Sequence, residues 1–256
     1  MNSSPLPPKY LNWDLQIDQW YVTPYTKLVT SGCSFTASTI WLEGPASWPG
    51  FVKDRCGFLE CTDLSFPGAG NEYIANSILS YVESSTVEER AKMLVIVGWS
   101  GLDRKENLTS EPGTTVSIDN IHYVREQSSA AEINHKWQKA EVWRSWKNII
   151  MLKNYLENKK VAHGFFSYCN LLEPPFLPKR DRTPEWPNMI SEDKLKSLKE
   201  IDWVIPASQS LFEFAFETDT LSEDFFHPTD IGIAKWTDSI LLPNLAKHGL
   251  ISLKNS

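Results

Sequence analysis

The chain has 256 residues, of which 41% are hydrophobic, and carries a formal net charge of −7 at pH 7. That length and apolar content suffice for a sizeable core, so we expect one folded domain over residues 1–256 rather than a disordered chain. The acidic balance excludes a general electrostatic attraction to nucleic acid or to anionic lipid.

The N-terminus and the cysteines bear on where the protein acts. No basic stretch followed by an apolar run opens the sequence, and no apolar run reaches the membrane-spanning length of about 18 residues. We therefore expect a soluble, cytoplasmic chain with no signal peptide and no membrane insertion. The four cysteines are too few for a disulfide scaffold and form no C-x-x-C pair, which predicts free thiols and no metal site. A disulfide between Cys56 and Cys61 is the less favoured alternative.

The stretch on which the functional interpretation depends lies near the N-terminus. Residues 1–26 are rich in Pro, Trp and Tyr without a sustained period, and we expect an extension that packs on the domain. Residues 27–36 then read K-L-V-T-S-G-C-S-F-T, a short apolar run that ends in small residues, with Ser34 where a strand turns towards a helix. A serine at such a turn caps a helix or presents a nucleophile. The turn alone does not decide between the two.

Two further strands are followed by small or polar residues. Residues 58–65 predict a strand that runs into P-G-A-G-N at residues 67–71. The apolar run at residues 93–97 predicts a central parallel strand before G-W-S at residues 98–100. Glycines in a turn let backbone N–H groups approach a bound anion. Because parallel strands end at one edge of a sheet, we expect Ser34, Gly68 and Ser100 to gather there.

Strands and helices alternate along the rest of the chain. Helices are predicted over residues 48–55, 71–83, 129–158 (one long helix or two joined ones), 191–200, 208–216 and 230–242, and further strands over 161–168 and, weakly, 201–205. Five prolines and several charges mark residues 171–190 as a surface insertion. This alternation predicts an α/β fold with a parallel sheet of about five strands, covered by helices on both faces.

A candidate base lies late in the chain. Asp224 precedes His227 by three residues, and Pro228 follows the histidine directly. From one loop the carboxylate can accept the Nδ1–H and fix the imidazole tautomer, while the other ring nitrogen takes a proton from a serine hydroxyl. Ser34, His227 and Asp224 are therefore the candidate nucleophile, base and orienting residue.

These sequence blocks resemble those of a known superfamily. G-C-S-F-T around Ser34, P-G-A-G-N around Gly68, V-I-V-G-W-S and D-F-F-H-P are similar to the four blocks of the SGNH (GDSL-type) hydrolases, in their usual order. The resemblance extends over residues 27–242. It implies a flavodoxin-like three-layer α/β/α fold, no cofactor, and hydrolysis of an ester or acetyl group through an acyl-serine intermediate. It also implies an oxyanion hole formed by the backbone N–H groups of Ser34 and Gly68.

The sequence departs from that pattern at two positions. Cys33 replaces an Asp of the first block, and we expect it to be a small packing residue. Ser100, after Trp99, stands where the third block carries an Asn that donates to the oxyanion. Losing one such donor costs roughly 10²–10³ in rate, which makes Asn71 and Arg104 candidate substitutes. The plainer interpretations are a helix cap for Asn71 and a surface residue for Arg104, while Trp99 is a candidate wall of the substrate pocket.

The leading hypothesis is a serine esterase or acetylesterase that acts on a small ester or an acetylated glycan. Carbohydrate O-acetyl groups rank ahead of lipid esters because no long apolar segment flanks the site. The alternative is a catalytically weak or inactive binding or structural module of the same fold. The G-C-S-F-T and G-W-S variants are similar to uncharacterised SGNH-like proteins of tailed phages, which leaves a virion role open for such a module.

Overall fold

The computed structural model describes residues 20–37, 47–102, 128–169, 191–206, 209–223 and 227–254, without the side chains of residues 128–138. Its strands are β1 (Tyr21–Val22), β2 (Lys27–Gly32), β3 (Glu60–Asp63), β4 (Met93–Trp99), β5 (Ala162–Ser167) and β6 (Ser252–Leu253). Its helices are α1 (Trp48–Cys56), α2 (Asn71–Ser84), α3 (Val87–Arg90), α4 (Ser128–Asn158), α5 (Glu192–Lys199), α6 (Leu211–Glu217), α7 (Asp230–Trp236) and α8 (Leu242–Lys247).

Four parallel strands form the central sheet, in the spatial order β3-β2-β4-β5. Every residue of β4 is buried, as expected of an uninterrupted apolar run between two parallel neighbours. The predicted central strand at residues 93–97 is therefore confirmed. The short strands β1 and β6 pair antiparallel in a separate sheet and join the two ends of the described chain.

Helices lie on both faces of the central sheet. On one face, Ser31 of β2 and Ser77 of α2 approach each other to 2.8 Å between their hydroxyl oxygens. On the opposite face, the rings of Trp48 in α1 and Trp236 in α7 pack on Phe166 of β5, with centroid distances of 5.2 and 5.3 Å. The predicted α/β fold, with helices on both faces of a parallel sheet, is confirmed.

Residues 201–205 do not form the weakly predicted fifth strand. Trp203 makes a single parallel bridge to Phe165 at the edge of β5, and the Val204 N–H donates to the Phe165 carbonyl at 2.9 Å. A tight turn, in which the Trp203 N–H donates to the Ile201 carbonyl at 2.9 Å, bends the segment away from extended geometry. Pro206 then supplies no N–H for further pairing.

The last helical segment is longer than predicted and is not uniform. Residues 230–247 are helical throughout, but Thr237–Leu241 form a π-helical turn between α7 and α8. Pro243 lies two residues after this turn and lacks the N–H that an α-helix would direct to the carbonyl of Ser239. The wider turn accommodates the missing hydrogen bond and the proline ring.

Several other predictions can be compared with the structure. Gly57, at φ 70°, ends α1 in the left-handed conformation, as predicted, and residues 128–158 form one long helix. All four cysteines are free thiols. None of the helices in the described ranges combines the length and the apolar character that a membrane span needs. Residues 1–19 and 170–190, which hold most of the predicted extension and insertion, lie outside the described chain.

Candidate active site

The turn after β2 bends back over the end of the sheet. The N–H groups of Thr36 and Ala37 both donate to the Cys33 carbonyl, at 2.9 and 3.0 Å. Ser34 lies at this turn and is partly exposed, whereas Cys33 is fully buried. Cys33 is thus a packing residue in this structure, and the serine is the residue that the turn leaves accessible.

Two glycines make room for the Thr36 side chain, which sits over the ends of β2 and β4. Gly32 and Gly98 pair in register, and a Cβ atom on Gly32 would lie 2.1 Å from Thr36 Oγ1. A Cβ on Gly98 would lie 2.9 Å from the same oxygen. The Trp48 indole N–H donates to that oxygen at 3.3 Å. The G-C-S-F-T motif therefore encodes a turn that is fixed through Thr36 and for which the chain needs glycine at position 32.

Two short segments, which pair antiparallel at Leu221 and Pro228, place His227 beside Ser34. The Ser222 N–H donates to the His227 carbonyl, and the Thr229 N–H donates to the Thr220 carbonyl, both at 2.7 Å. These bonds close the loop that precedes α7. His227 Nε2 lies 2.9 Å from Ser34 Oγ, although the two residues are 193 positions apart in the sequence.

Phe35 packs against the His227 ring and belongs to a small aromatic cluster. The ring centroid of Phe35 lies 5.2 Å from that of His227. Phe35 stacks on Tyr168 at 4.4 Å and meets Phe212 edge-on at 6.4 Å. None of these three residues was predicted from the sequence to be part of the site. Only the position of Phe35, directly after Ser34, could have signalled the contact, because Tyr168 and Phe212 belong to distant segments.

The turn between β3 and α2 supplies a second potential donor to an anion. Gly68 has φ +79°, a conformation that other residues adopt only with strain. The Ala69 N–H closes this turn on the Phe66 carbonyl, and the Phe66 N–H donates to the Gly32 carbonyl at 3.1 Å. Among the described residues, neither the Gly68 N–H nor the Ser34 N–H donates to another backbone group. Within that part of the chain, neither N–H is used in turn or sheet pairing.

Asn71 lies in the first turn of α2 and is buried. Its Oδ1 accepts the Ser100 N–H at 2.8 Å. Its Nδ2 donates to the Ser100 and Gly101 carbonyls and to Ser145 Oγ, at 3.1, 3.2 and 3.0 Å. The Ser145 hydroxyl in turn donates to the Leu102 carbonyl at 2.7 Å. Asn71 is neither a side-chain cap nor a free donor, because its amide already binds the segment that follows β4.

Trp99 and Ser100, the other sequence candidates on β4, are both fully buried. Trp99 packs edge-on against Phe165, at a centroid distance of 5.4 Å. Alternation along β4 puts it on the face opposite Gly98 and Thr36, so it is a core residue rather than a pocket wall. The Ser100 hydroxyl is closed to solvent and has no hydrogen-bond partner among the described residues. The predicted roles of Asp224 and Arg104 concern positions outside the described residues.

Ser145 was missed by the sequence analysis, although its spacing carries a signal. It lies on the stripe of α4 that also contains Val142, Ile149 and Leu152, at intervals of three and four residues, and all four are buried. A polar residue on such a stripe needs a hydrogen-bond partner in the core. The identity of that partner depends on the tertiary structure.

Two other thiols, those of Cys56 and Cys61, do not have the properties of an activated nucleophile. Burial raises the pKa of the Cys56 thiol to about 12 and that of the Cys61 thiol to about 11. Both are therefore protonated at neutral pH, whereas a reactive cysteine is a thiolate. Within the described ranges, no three His, Cys, Asp or Glu side chains converge as metal ligands would.

Comparison with known proteins identifies the fold. No protein-family model matches the sequence, and no curated protein sequence matches it significantly. The lipase Lip_vut3 from a goat rumen metagenome is 14% identical and has a TM-score of 0.51, over 88% of this chain and 97% of its own. TesA is 12% identical, with a TM-score of 0.48 over 86% and 98%. The psychrotrophic esterase EstA from Pseudoalteromonas sp. is 10% identical, with a TM-score of 0.46 over 87% and 98%. The chain shares the fold of the goat rumen lipase.

Proposed function

We propose that the protein is a serine hydrolase of the SGNH type that cleaves small esters through an acyl-serine intermediate. The observation that carries the proposal is the distance of 2.9 Å between Ser34 Oγ and His227 Nε2. A hydroxyl and an imidazole at this distance have the geometry that proton transfer requires. The fold shared with a lipase is compatible with this activity.

In the first step, Ser34 Oγ attacks the ester carbonyl carbon while His227 Nε2 takes the hydroxyl proton. The carbonyl oxygen becomes an oxyanion, and the N–H groups of Ser34 and Gly68 donate to it. The bond to the alcohol oxygen then breaks, and the imidazolium returns its proton to that oxygen. The alcohol leaves, and the acyl group stays on Ser34.

In the second step, a water molecule replaces the alcohol. His227 takes a proton from the water as the water oxygen attacks the acyl carbon, and the same two N–H groups hold the second oxyanion. The bond to Ser34 Oγ breaks, and the proton returns to the serine. The carboxylic acid is released, and no cofactor enters either step. We assign the orientation of the imidazole to Asp224 on the sequence argument alone.

The substrate that we propose is a small ester, with acetyl groups on carbohydrate ahead of lipid esters. A series of p-nitrophenyl esters from acetate to octanoate, together with acetylated xylan and a triglyceride emulsion, separates these classes. We expect the highest kcat/KM with acetate among the p-nitrophenyl esters, and release of acetate from the glycan. A preference for octanoate and the emulsion would instead identify a lipase.

The test of the proposal is hydrolysis of p-nitrophenyl acetate by the wild type and by Ser34→Ala. We expect kcat/KM to fall by at least about 10³-fold, because the variant retains the oxyanion donors but no nucleophile. Ser84→Ala is the matched control. It removes a hydroxyl that donates only within helix α2, to the Tyr81 carbonyl at 2.8 Å. Equal rates for the wild type and Ser34→Ala would contradict the proposal.

A fluorophosphonate probe tests the same assignment without a substrate. We expect stoichiometric labelling of the wild type at Ser34 and no labelling of Ser34→Ala. A folded protein that never labels would support the alternative, a binding or structural module that keeps the fold without the reaction. Size-exclusion chromatography on the same sample would then show whether the chain forms an assembly.

A further inference from the structure

The turn at residues 66–70, with Gly68 at its centre, is called the oxyanion turn below. We infer that Asn71 and Ser145 are positioning residues that fix this turn, and with it the Gly68 N–H, relative to Ser34. The inference rests on the proposed function, because it assigns these two residues a part in the same reaction.

Asn71 has no amide hydrogen to spare for a substrate. A side-chain amide offers two N–H donors and one carbonyl oxygen. In Asn71 the oxygen accepts the Ser100 N–H, and the nitrogen faces three acceptors within 3.2 Å. These bonds connect the start of α2 to the end of β4 and to α4.

The oxyanion turn is therefore anchored at both ends. At its first residue, the Phe66 N–H donates to the carbonyl of Gly32, two residues before Ser34. Directly after its last residue, Asn71 binds Ser100, two residues beyond Gly98. Because Gly32 and Gly98 pair in register, the turn is bound to two neighbouring strand ends, one of which leads into the nucleophile. The position of the Gly68 N–H follows from these two anchors.

Ser145, on helix α4, supports the second anchor, which is the one that Asn71 makes to Ser100. It accepts from Asn71 and donates to the Leu102 carbonyl, so it connects the amide to the chain beyond Ser100. Asn71 and Ser145 are 1% and 3% exposed, so water does not replace these bonds when one partner is removed. Without the amide, buried N–H and carbonyl groups lose their partner, and the oxyanion turn loses the anchor that follows its last residue.

Displacement of a catalytic group by about 1 Å can cost about 10²-fold in rate. We expect Asn71→Ala to lower kcat for p-nitrophenyl acetate by about 10- to 100-fold, with KM within about threefold of wild type, because the Gly68 N–H acts mainly on the transition state. We expect Ser145→Ala to lower kcat by about three- to tenfold, since it weakens the same anchor from one side. The double variant should be no slower than Asn71→Ala, because Ser145 acts through the amide.

Asn244→Ala is the matched control for loss of a partly buried asparagine. Its Nδ2 donates to the Ile240 carbonyl at 2.8 Å, within the helical segment that contains α8. We expect it to lower the melting temperature without changing kcat. Melting temperatures of all variants separate a loss of stability from a loss of rate. If Asn71→Ala does not fold, Ser145→Ala decides the question.

The outcomes distinguish this inference from the proposed function. A wild type without Ser34-dependent hydrolysis overturns both. A wild type with Ser34-dependent hydrolysis overturns only the inference if Asn71→Ala or Ser145→Ala keeps the wild-type kcat. The inference alone is also overturned if Asn244→Ala lowers kcat as much as Asn71→Ala does. It is likewise overturned if the fold losses in kcat of Asn71→Ala and Ser145→Ala multiply in the double variant.

Discussion

Strand β2 ends at Gly32, and Gly98 is the second-last residue of β4. Each glycine is followed two residues later by a serine, and the two glycines pair in register. The two serines nevertheless have different environments. Ser34 is partly exposed, and its hydroxyl lies 2.9 Å from the His227 ring. Ser100 is fully buried, and its hydroxyl has no partner in the described part of the chain. A G-x-S sequence at a strand end therefore does not define a nucleophile.

Backbone hydrogen bonds account for the difference. After β2, two N–H groups turn back onto the Cys33 carbonyl, so that the chain bends at Ser34. After β4, the Asn71 side chain takes both the N–H and the carbonyl of Ser100, which holds this residue against α2. The bend presents one hydroxyl at the surface, whereas the side-chain amide encloses the other. Whether a strand-end serine is accessible thus depends on what binds its backbone.

The largest effect on this comparison is expected from Gly32→Ala. The new Cβ would lie 2.1 Å from Thr36 Oγ1 and 2.7 Å from its Cβ, so the turn that carries Ser34 must move. We expect kcat for p-nitrophenyl acetate to fall by about 10²-fold or more, and stability to fall by about 1–3 kcal/mol, as for other overpacked cores.

Gly50→Ala in α1 is the control for Gly32→Ala, since its new Cβ would meet nothing closer than Ser47 Oγ at 3.7 Å. We expect it to keep the activity and to raise stability by up to about 1 kcal/mol, because alanine is the better helix former. Urea unfolding and steady-state rates measure both effects. A fully active Gly32→Ala would show that the turn does not hold Ser34 in place.

A smaller effect is expected from Thr36→Val, which keeps the shape of the side chain and removes its hydroxyl. The buried indole N–H of Trp48 then loses the acceptor that it has at 3.3 Å, at a cost of about 1 kcal/mol. We expect the melting temperature to fall by about 2–4 °C, as this cost implies for a chain of this size. The rate should change little, because the valine methyl groups still fit the space that Gly32 and Gly98 leave for this side chain. A rate loss equal to that of Gly32→Ala would mean that the hydroxyl, rather than the shape of Thr36, fixes the turn.

The sequence was sufficient for the order of the four strands of the central sheet and of the longer helices, and for the pairing of Ser34 with His227 as candidates. Both rest on local patterns, namely apolar periodicity and short motifs that end strands. The partners of Asn71 could not be predicted, because Ser100, Gly101 and Ser145 lie 29, 30 and 74 residues away in the chain. The same holds for Trp99, whose burial on the far face depends on strand register, a property of the paired sheet.

The smallest effect is expected from Ser100→Ala, and it bears most directly on the comparison of the two strand ends. The Asn71 bonds use the backbone of Ser100, so the substitution leaves them in place. The hydroxyl is closed to solvent and has no partner among the described residues, so its loss should leave stability unchanged or raise it by up to about 1 kcal/mol. We expect kcat to stay within about threefold of wild type, whereas loss of an oxyanion donor costs roughly 10²–10³. A loss of that larger size, with an unchanged melting temperature, would show that the Ser100 hydroxyl reaches the oxyanion. The end of β2 would then supply the nucleophile, and the end of β4 would supply a donor to the oxyanion.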